Sequence, residues 1–195
     1  ENRRLKAQLE TGDPAARMLF GTSPQAEQLR TRVRAVAPTG AEVLVTGPAG
    51  SGVSKVAEVI HLMSPRAQGA FVKRPAAGMT IKAFDALCQD AAGGAVFLDE
   101  IPAMADAVQY AVLERLEQGV AARVIAGTTS DLAQLATSGA FNADLFYRLD
   151  GMRVRIPSLA ERPEDIPVLF RHYVAQAAEQ AGIAAPEISQ EHLAM

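Results

Sequence analysis

Two short stretches carry the residue types and spacing that could do chemistry. The first is VLVTGPAGSGVSK, residues 43–55. An apolar run enters a glycine-rich turn. Gly47 and Gly52 stand at the spacing of the phosphate-binding pattern G-x-x-x-x-G-K-[ST], with Ser54 at its hydroxyl position. In such a loop the glycines let backbone N–H groups turn inward onto phosphate oxygens, and the following helix adds its positive end. The candidate cradle is Gly47, Pro48, Ala49, Gly50, Ser51, Gly52, Val53 and Ser54. Its departure from the pattern is Val53, which occupies the lysine position. That lysine supplies a cation to the β and γ phosphates, where charge gathers during transfer, and valine cannot. Lys55 lies two residues on and projects to another face of the helix. Taken alone, the loop is balanced between a phosphate site and a glycine turn with no ligand.

The second stretch is AVFLDE, residues 95–100, an apolar run that ends in two acids. In phosphoryl-transfer sites of this kind an acid at a strand end holds Mg2+. Asp99 suits that role, with the Ser54 hydroxyl as the other metal contact, and Glu100 suits polarisation of an attacking water. Two solvated acids at a strand end are the ordinary alternative. Their order after the loop weighs against it.

The elements that must position these residues are legible as an alternation. Helices are expected over 23–37, with Ser23 as N-cap and Pro24 at the first position, and over 54–63, 80–91, 106–119, 131–139, 142–149 and 164–182. Strands are expected over 43–46, 70–72, 95–100 and 122–129, and MRVRI (152–156) alternates as an edge strand would. Strands alternating with helices imply an α/β fold built on a doubly wound parallel sheet with helices on both faces. Leu5 and Leu9 suggest a short amphipathic helix near the start, and PEISQEHLAM reads as a helix beginning at Ser189. Both ends therefore read as cut from a longer polypeptide.

Composition narrows the classes. The 195 residues suit one ordinary core, and a formal net charge of −3 excludes a strongly basic nucleic-acid binder. One cysteine, Cys88, cannot build a disulfide framework, so a reducing, cytoplasmic setting is expected. No apolar run approaches the roughly 18 residues of a membrane span. His61, His172 and His192 are scattered without metal-ligand spacing. Phe84, Phe97, Phe141 and Phe146 read as core.

Six stretches in colinear order resemble the AAA+ central domain of NtrC-type, sigma-54-dependent transcription regulators. They are residues 21–52, HLMSPRAQGAFV (61–72), GGAVFLDEI (93–101), RVIAGTTSDL (123–132), FNADLFYRL (141–149) and IPSLAERPEDIPVL (156–169). The resemblance implies a P-loop NTPase-like (AAA+) core over 14–163. A linker helix over 1–13 would precede it, and the beginning of an α-helical lid over 164–195 would follow. It assigns Thr129 to the sensor I position and Arg148 to the surviving position of the arginine-finger helix. It also exposes coordinated losses. Val53 replaces the loop lysine and Ser54 the acid after it. Thr129 replaces an asparagine, Asn142 the first finger arginine, and Ala160 another arginine. The long insertion carrying the GAFTGA loop has no room before residue 93, and only GVAA (119–122) stands where a second hairpin is usual.

The resemblance with these losses implies a degenerate AAA+ domain of a bacterial transcription regulator, of which a response regulator is one kind. ATP or ADP with Mg2+ would bind weakly or not at all, and ATPase activity would be lost or very low. The domain would serve self-association, as a dimer or higher oligomer, or signal relay to a DNA-binding domain outside this chain. Contact with RNA polymerase stays open, no productive grip on sigma-54 is expected, and no membrane is involved. The alternatives are a working ATPase of the sigma-54 activator class, with Lys55, Lys73 or a partner's arginine as the missing cation, and a nucleotide-free dimerisation scaffold.

Overall fold

The structure, a computed structural model, describes residues 12–184 and residue 186. The helices expected over residues 1–10 and from Ser189 lie outside the described residues. The first helix, α1 (Pro14–Met18), has no counterpart in the periodic reading; it is short and is started by Asp13, whose carboxylate accepts the Ala15 N–H at 3.0 Å. Helix α2 (Pro24–Val36) begins as expected, with the Ser23 hydroxyl accepting the Ala26 N–H at 3.1 Å and Pro24 at the first position. Strand β1 (Val43–Thr46), α3 (Val53–Leu62), β2 (Phe71–Pro75), α4 (Ile81–Asp90) and β3 (Ala95–Asp99) follow. Then come α5 (Asp106–Gln118), β4 (Arg123–Thr128), α6 (Leu132–Thr137), α7 (Ala143–Asp150), β5 (Arg153–Arg155) and α8 (Ile166–Ala181). Thr80, Asp131 and Asn142 cap α4, α6 and α7 with their side chains.

The five strands form one sheet in the order β2-β3-β4-β1-β5, and every pair is parallel. Alternate residues of each strand point to opposite faces, and helices bury both. On one face Leu44, Val96, Leu98, Val124 and Ala126 pack under α4, α5 and α7 with Phe84, Leu116 and Leu145. On the other, Val43, Val45, Phe97 and Ile125 pack under α1, α2 and α3 with Ala15, Val33 and Ile60. The expected edge strand is β5, and only its middle residue is buried. The four phenylalanines expected in the core are buried there.

Register places the candidate residues. Thr46 pairs with Thr128 and Leu98 with Ala126, so β1, β3 and β4 end side by side. In an open parallel sheet the crevice at the carboxyl ends of the strands is where ligands bind. The loop after β1 and the acids of β3 both open there. The turns joining β2 to α4 and α5 to β4 are short, spanning residues 76–80 and 119–122.

Candidate functional site

The glycine-rich loop is a formed cradle. The Gly47 N–H donates to Thr128 O at 3.4 Å, which ties the loop to the neighbouring strand end, and the Ser51 N–H donates to Pro48 O at 3.0 Å. Gly50 (φ 76°) and Gly52 (φ 91°) both take left-handed backbone conformations that side chains resist. Gly52 starts α3 without any side-chain cap, and Val56 is the first residue whose N–H reaches a backbone carbonyl, Gly52 O at 2.9 Å. The N–H groups of the first turn are thus left to an outside acceptor, at the positive end of the helix dipole.

Val53 is part of the core. It is 8% exposed and packs with Val45, Phe97, Ile125 and Ile156. Its Cγ1 lies 2.8 Å from where a Cβ on Gly127 would stand, so this methyl uses the space a side chain there would fill. The two lysines near enough to be considered as replacements converge on one carboxylate. Glu58 Oε2 lies 3.8 Å from Lys55 Nζ and 3.6 Å from Lys73 Nζ.

Beside the loop opens a cavity of about 650 Å3. Pro48, Ala49, Gly50, Ser51 and Gly52 form one side of it, the segment Met18–Phe20 a second, and the α8 residues Ile166, Phe170 and Tyr173 a third. The walls are mainly apolar, but two of the lining residues each carry a buried polar atom with no hydrogen-bond partner, Ser51 Oγ and Arg162 Nε. The α8 side is held by Asp165. Its fully buried carboxylate accepts the N–H groups of Thr22 (2.6 Å) and Ser23 (2.9 Å) and the Ser23 hydroxyl (2.6 Å). Burial pushes the Asp165 carboxyl up, yet these donors and the charge of Arg162 outweigh it and hold the carboxyl below its ordinary value.

The acids sit at the end of β3, with β4 between it and β1. Asp99 is exposed at the end of β3. Glu100 follows with φ 51°, the one non-glycine positive φ among the described residues. Its Oε2 accepts the Thr128 hydroxyl at 3.0 Å and its Oε1 accepts the Thr129 N–H at 2.9 Å. The strained backbone is therefore held by a two-point tether to β4. Each oxygen accepts one protein donor and keeps a second lone pair with which to accept from a water. Thr129 contributes its backbone, and Thr128, which the motif reading passed over, contributes the hydroxyl.

Arg148 is not brought to this site. Its guanidinium donates to Leu116 O at 2.9 Å and pairs with Glu42 at 3.1 Å. Glu42 precedes β1, whereas the loop follows it, so Arg148 braces the opposite end of the strand, roughly 13 Å away at about 3.3 Å per residue. Asn142 has its own work as the cap of α7, its side chain accepting the Leu145 N–H at 2.9 Å.

The Sigma-54 interaction domain pattern matches residues 20–159, a stretch that includes the loop, the β3 acids, the β4 end and α7. The chain belongs to the Sigma-54 interaction domain family. Among relatives of this family, the C4-dicarboxylate transport transcriptional regulatory protein DctD of Rhizobium meliloti (strain 1021) is 34% identical over 220 residues, covering 97% of this chain and 48% of DctD. That aligned stretch is longer than the whole 195-residue chain. DctD therefore carries segments with no counterpart here. The crystal structure of NtrX from Brucella abortus in complex with ADP superposes with a TM-score of 0.82 at 34% identity, over 97% of this chain and 47% of NtrX. The same protein in complex with ATP gives 0.81 at 33%, over 98% and 50%. The P-loop NTPase domain of an E. coli sigma-54 transport activator shares the fold, with a TM-score of 0.60 at 24% identity over 72% of this chain and 99% of that one. The sheet order and these neighbours make the domain an α/β P-loop NTPase of the AAA+ type. The chain spans about half the length of the curated relatives it matches.

Within this family domain, the sequence reading and the site overlap at the loop and part company elsewhere. Of the expected cradle, Pro48 through Gly52 line the cavity, Val53 is packed in the core, and Gly47 and Ser54, the latter in the first turn of α3, are outside its lining. The residues that sequence reasoning missed are Arg162 and the apolar walls from Phe20 and α8. Arg162 lies in a polar turn, ERPED, and nothing in that string marks it as buried.

Proposed function

We propose that this chain is a regulatory AAA+ module of a bacterial transcription regulator that holds an adenine nucleotide without cleaving it at a useful rate. The observation that carries this reading is the burial of Val53 against Gly127 and Phe97, at the position where the loop pattern asks for lysine. Removing one preorganised charge from a developing transition state costs about 3 kcal/mol, or a hundredfold in rate. Lys73 lies near Glu58 at 3.6 Å, and Lys55, which lines the cavity beside the loop, has the same carboxylate at 3.8 Å.

The residues present fit a nucleotide. The first-turn N–H groups of α3 and the glycine cradle would take the phosphates, Ser54 and Asp99 would hold Mg2+, and the apolar walls beside Phe20 and α8 would take the base. Bound Mg-nucleotide would supply negative charge at the helix terminus and fill the cavity between the loop and α8. NtrX, similar over nearly the whole chain, has been seen with ATP and with ADP, which supports the nucleotide assignment.

The output would be self-association or relay to a DNA-binding segment outside this chain, in the cytoplasm. The short turns at 76–80 and 119–122 support a domain without the protruding loops that grip sigma-54, and the extra length of DctD in the alignment agrees. A domain lacking its lever has little use for fuel.

The experiment is a comparison of the wild type with Val53→Lys for nucleotide affinity and phosphate release. The expected result is measurable binding with negligible turnover in the wild type, and tighter binding in the variant. Turnover at ordinary AAA+ rates by the wild type overturns the reading in favour of a working ATPase, and no binding by either protein favours a nucleotide-free scaffold.

A further inference from the structure

Arg162 is the least explained charge in the molecule. It is 6% exposed, lines the cavity, and its Nε finds no partner. Of the acids around it in sequence, Glu161 is taken by Arg155 and Ser158, Glu164 is exposed, and Asp165, whose carboxyl feels the Arg162 charge, has its oxygens taken by Thr22 and Ser23. Of the other orphaned buried atoms among the described residues, Ser51 Oγ belongs to a second cavity residue, while those on Gln25 and His61 lie elsewhere. A guanidinium brings five donors and no acceptor, and keeping such a charge buried without a hydrogen-bonded counter-ion is costly. The cavity's other cation, Lys55, is half-exposed and lies near Glu58.

We infer that Arg162 is the cation of this ligand site: it donates to the phosphate chain of the bound nucleotide, from the segment entering α8, where the loop itself has no lysine. The inference rests on the nucleotide reading given under Proposed function. The chemistry favours phosphate over a neutral acceptor, because Asp165 offsets the buried charge without a hydrogen bond to it, and the planar fork of arginine matches phosphate oxygens two at a time. The placement is suitable. Ile156 lies against Gly47 at the start of the loop, and the chain then runs through residues 157–162 along the cavity to Asp165. A nucleotide so held is gripped from both sides, by backbone N–H groups of the loop and by a side chain anchored beside the Asp165 tether. Occupancy would thus fasten α8 to the loop.

The test measures ADP and adenosine binding to the full-length protein, for wild type, Arg162→Gln and Arg162→Lys. Loss of a charge-assisted contact should weaken ADP by roughly ten- to a hundredfold in Arg162→Gln, leave adenosine unchanged, and be partly restored in Arg162→Lys. Unliganded melting temperatures of the three proteins, measured alongside, separate a loss of ADP affinity from any change in the fold's own stability, to which the Arg162 charge contributes beside Asp165. As a check that needs no variant, the Arg162 Nε–H resonance of the wild type should shift with ADP and stay put with adenosine. Unchanged ADP affinity in Arg162→Gln, an equal loss for adenosine, or an unmoved resonance at saturating ADP each overturns the inference while leaving the nucleotide reading intact. A wild type that binds neither ADP nor ATP removes both.

Discussion

Val53 and Gly127 are shaped to each other. A Cβ on Gly127 would meet Val53 Cγ1 at 2.8 Å and the Phe97 ring at 2.6 Å. The loop's missing lysine and the strand's glycine are thus one packing arrangement, in which a branched methyl fills the space over a bare Cα. Gly127→Ala should overpack this spot and destabilise the fold by about 1–3 kcal/mol. Pairing it with Val53→Ala should recover part of that loss, so the double variant costs less than the two single variants added together. Urea unfolding of the four proteins measures the coupling.

Val53→Lys tests the other side of the same relationship. Burying part of a lysine stem where a valine packed should cost about 1–2 kcal/mol of stability. The ammonium can reach the cavity along the strand end, so ADP should protect the variant against thermal unfolding more than it protects the wild type. Melting curves with and without ADP give both numbers.

Thr128 carries the Glu100 tether and also accepts the Ser130 N–H at 3.0 Å. Thr128→Val keeps the shape and removes the hydroxyl. Leaving the part-buried Ser130 N–H and the Glu100 carboxylate short of a partner should cost about 1 kcal/mol. Thermal unfolding reads the loss, and a variant as stable as wild type would show that the tether contributes nothing.

Arg123 is 3% exposed, and its guanidinium donates to Ala41 O, Ala37 O and Val36 O and to the Thr39 hydroxyl, all within 3.0 Å. Burial pushes its pKa down to about 10, still charged at neutral pH. Arg123→Ala orphans the carbonyls that end α2 and should cost roughly 3–5 kcal/mol. Arg123→Lys keeps the charge but not the fork, and should recover less than half. Chemical denaturation distinguishes the three proteins.

Asp165 should leave its mark on the acid side of the stability profile. Its folded carboxyl sits below its ordinary value, whereas in the unfolded chain it titrates near 3.9. The contribution is complete above the unfolded value and is lost as pH falls through the lower, folded one. Asp165→Asn should lose about 3 kcal/mol at neutral pH and show a flatter decline below pH 4 than wild type. Melting temperature measured from pH 2 to 7 checks both.

Much of the architecture was legible in the order of residues. Apolar runs of four to six with turns between them gave the strands, helix-period spacing and caps such as Ser23 and Asn142 gave the helices, and the parallel two-faced sheet followed from their alternation. The cradle at 47–52 and the acids at 99–100 were visible because glycine and acid placement is a local property of the chain. The exception among the elements was α1, too short to show a period.

What the sequence by itself determined is therefore the family fold and the absence of a lysine from the loop. Tertiary structure decided what that absence means and what surrounds it. Val53 is sealed by Gly127 and Phe97, which lie on two other strands. Glu100 is tethered by a hydroxyl from β4, Arg148 is spent at the far end of β1, and Arg162 is buried in a cavity whose walls come from opposite ends of the chain. These are contacts between residues tens of positions apart. Spacing along a chain encodes only neighbours within a turn or a strand, so burial and pairing across the sheet enter only when the strands are laid side by side.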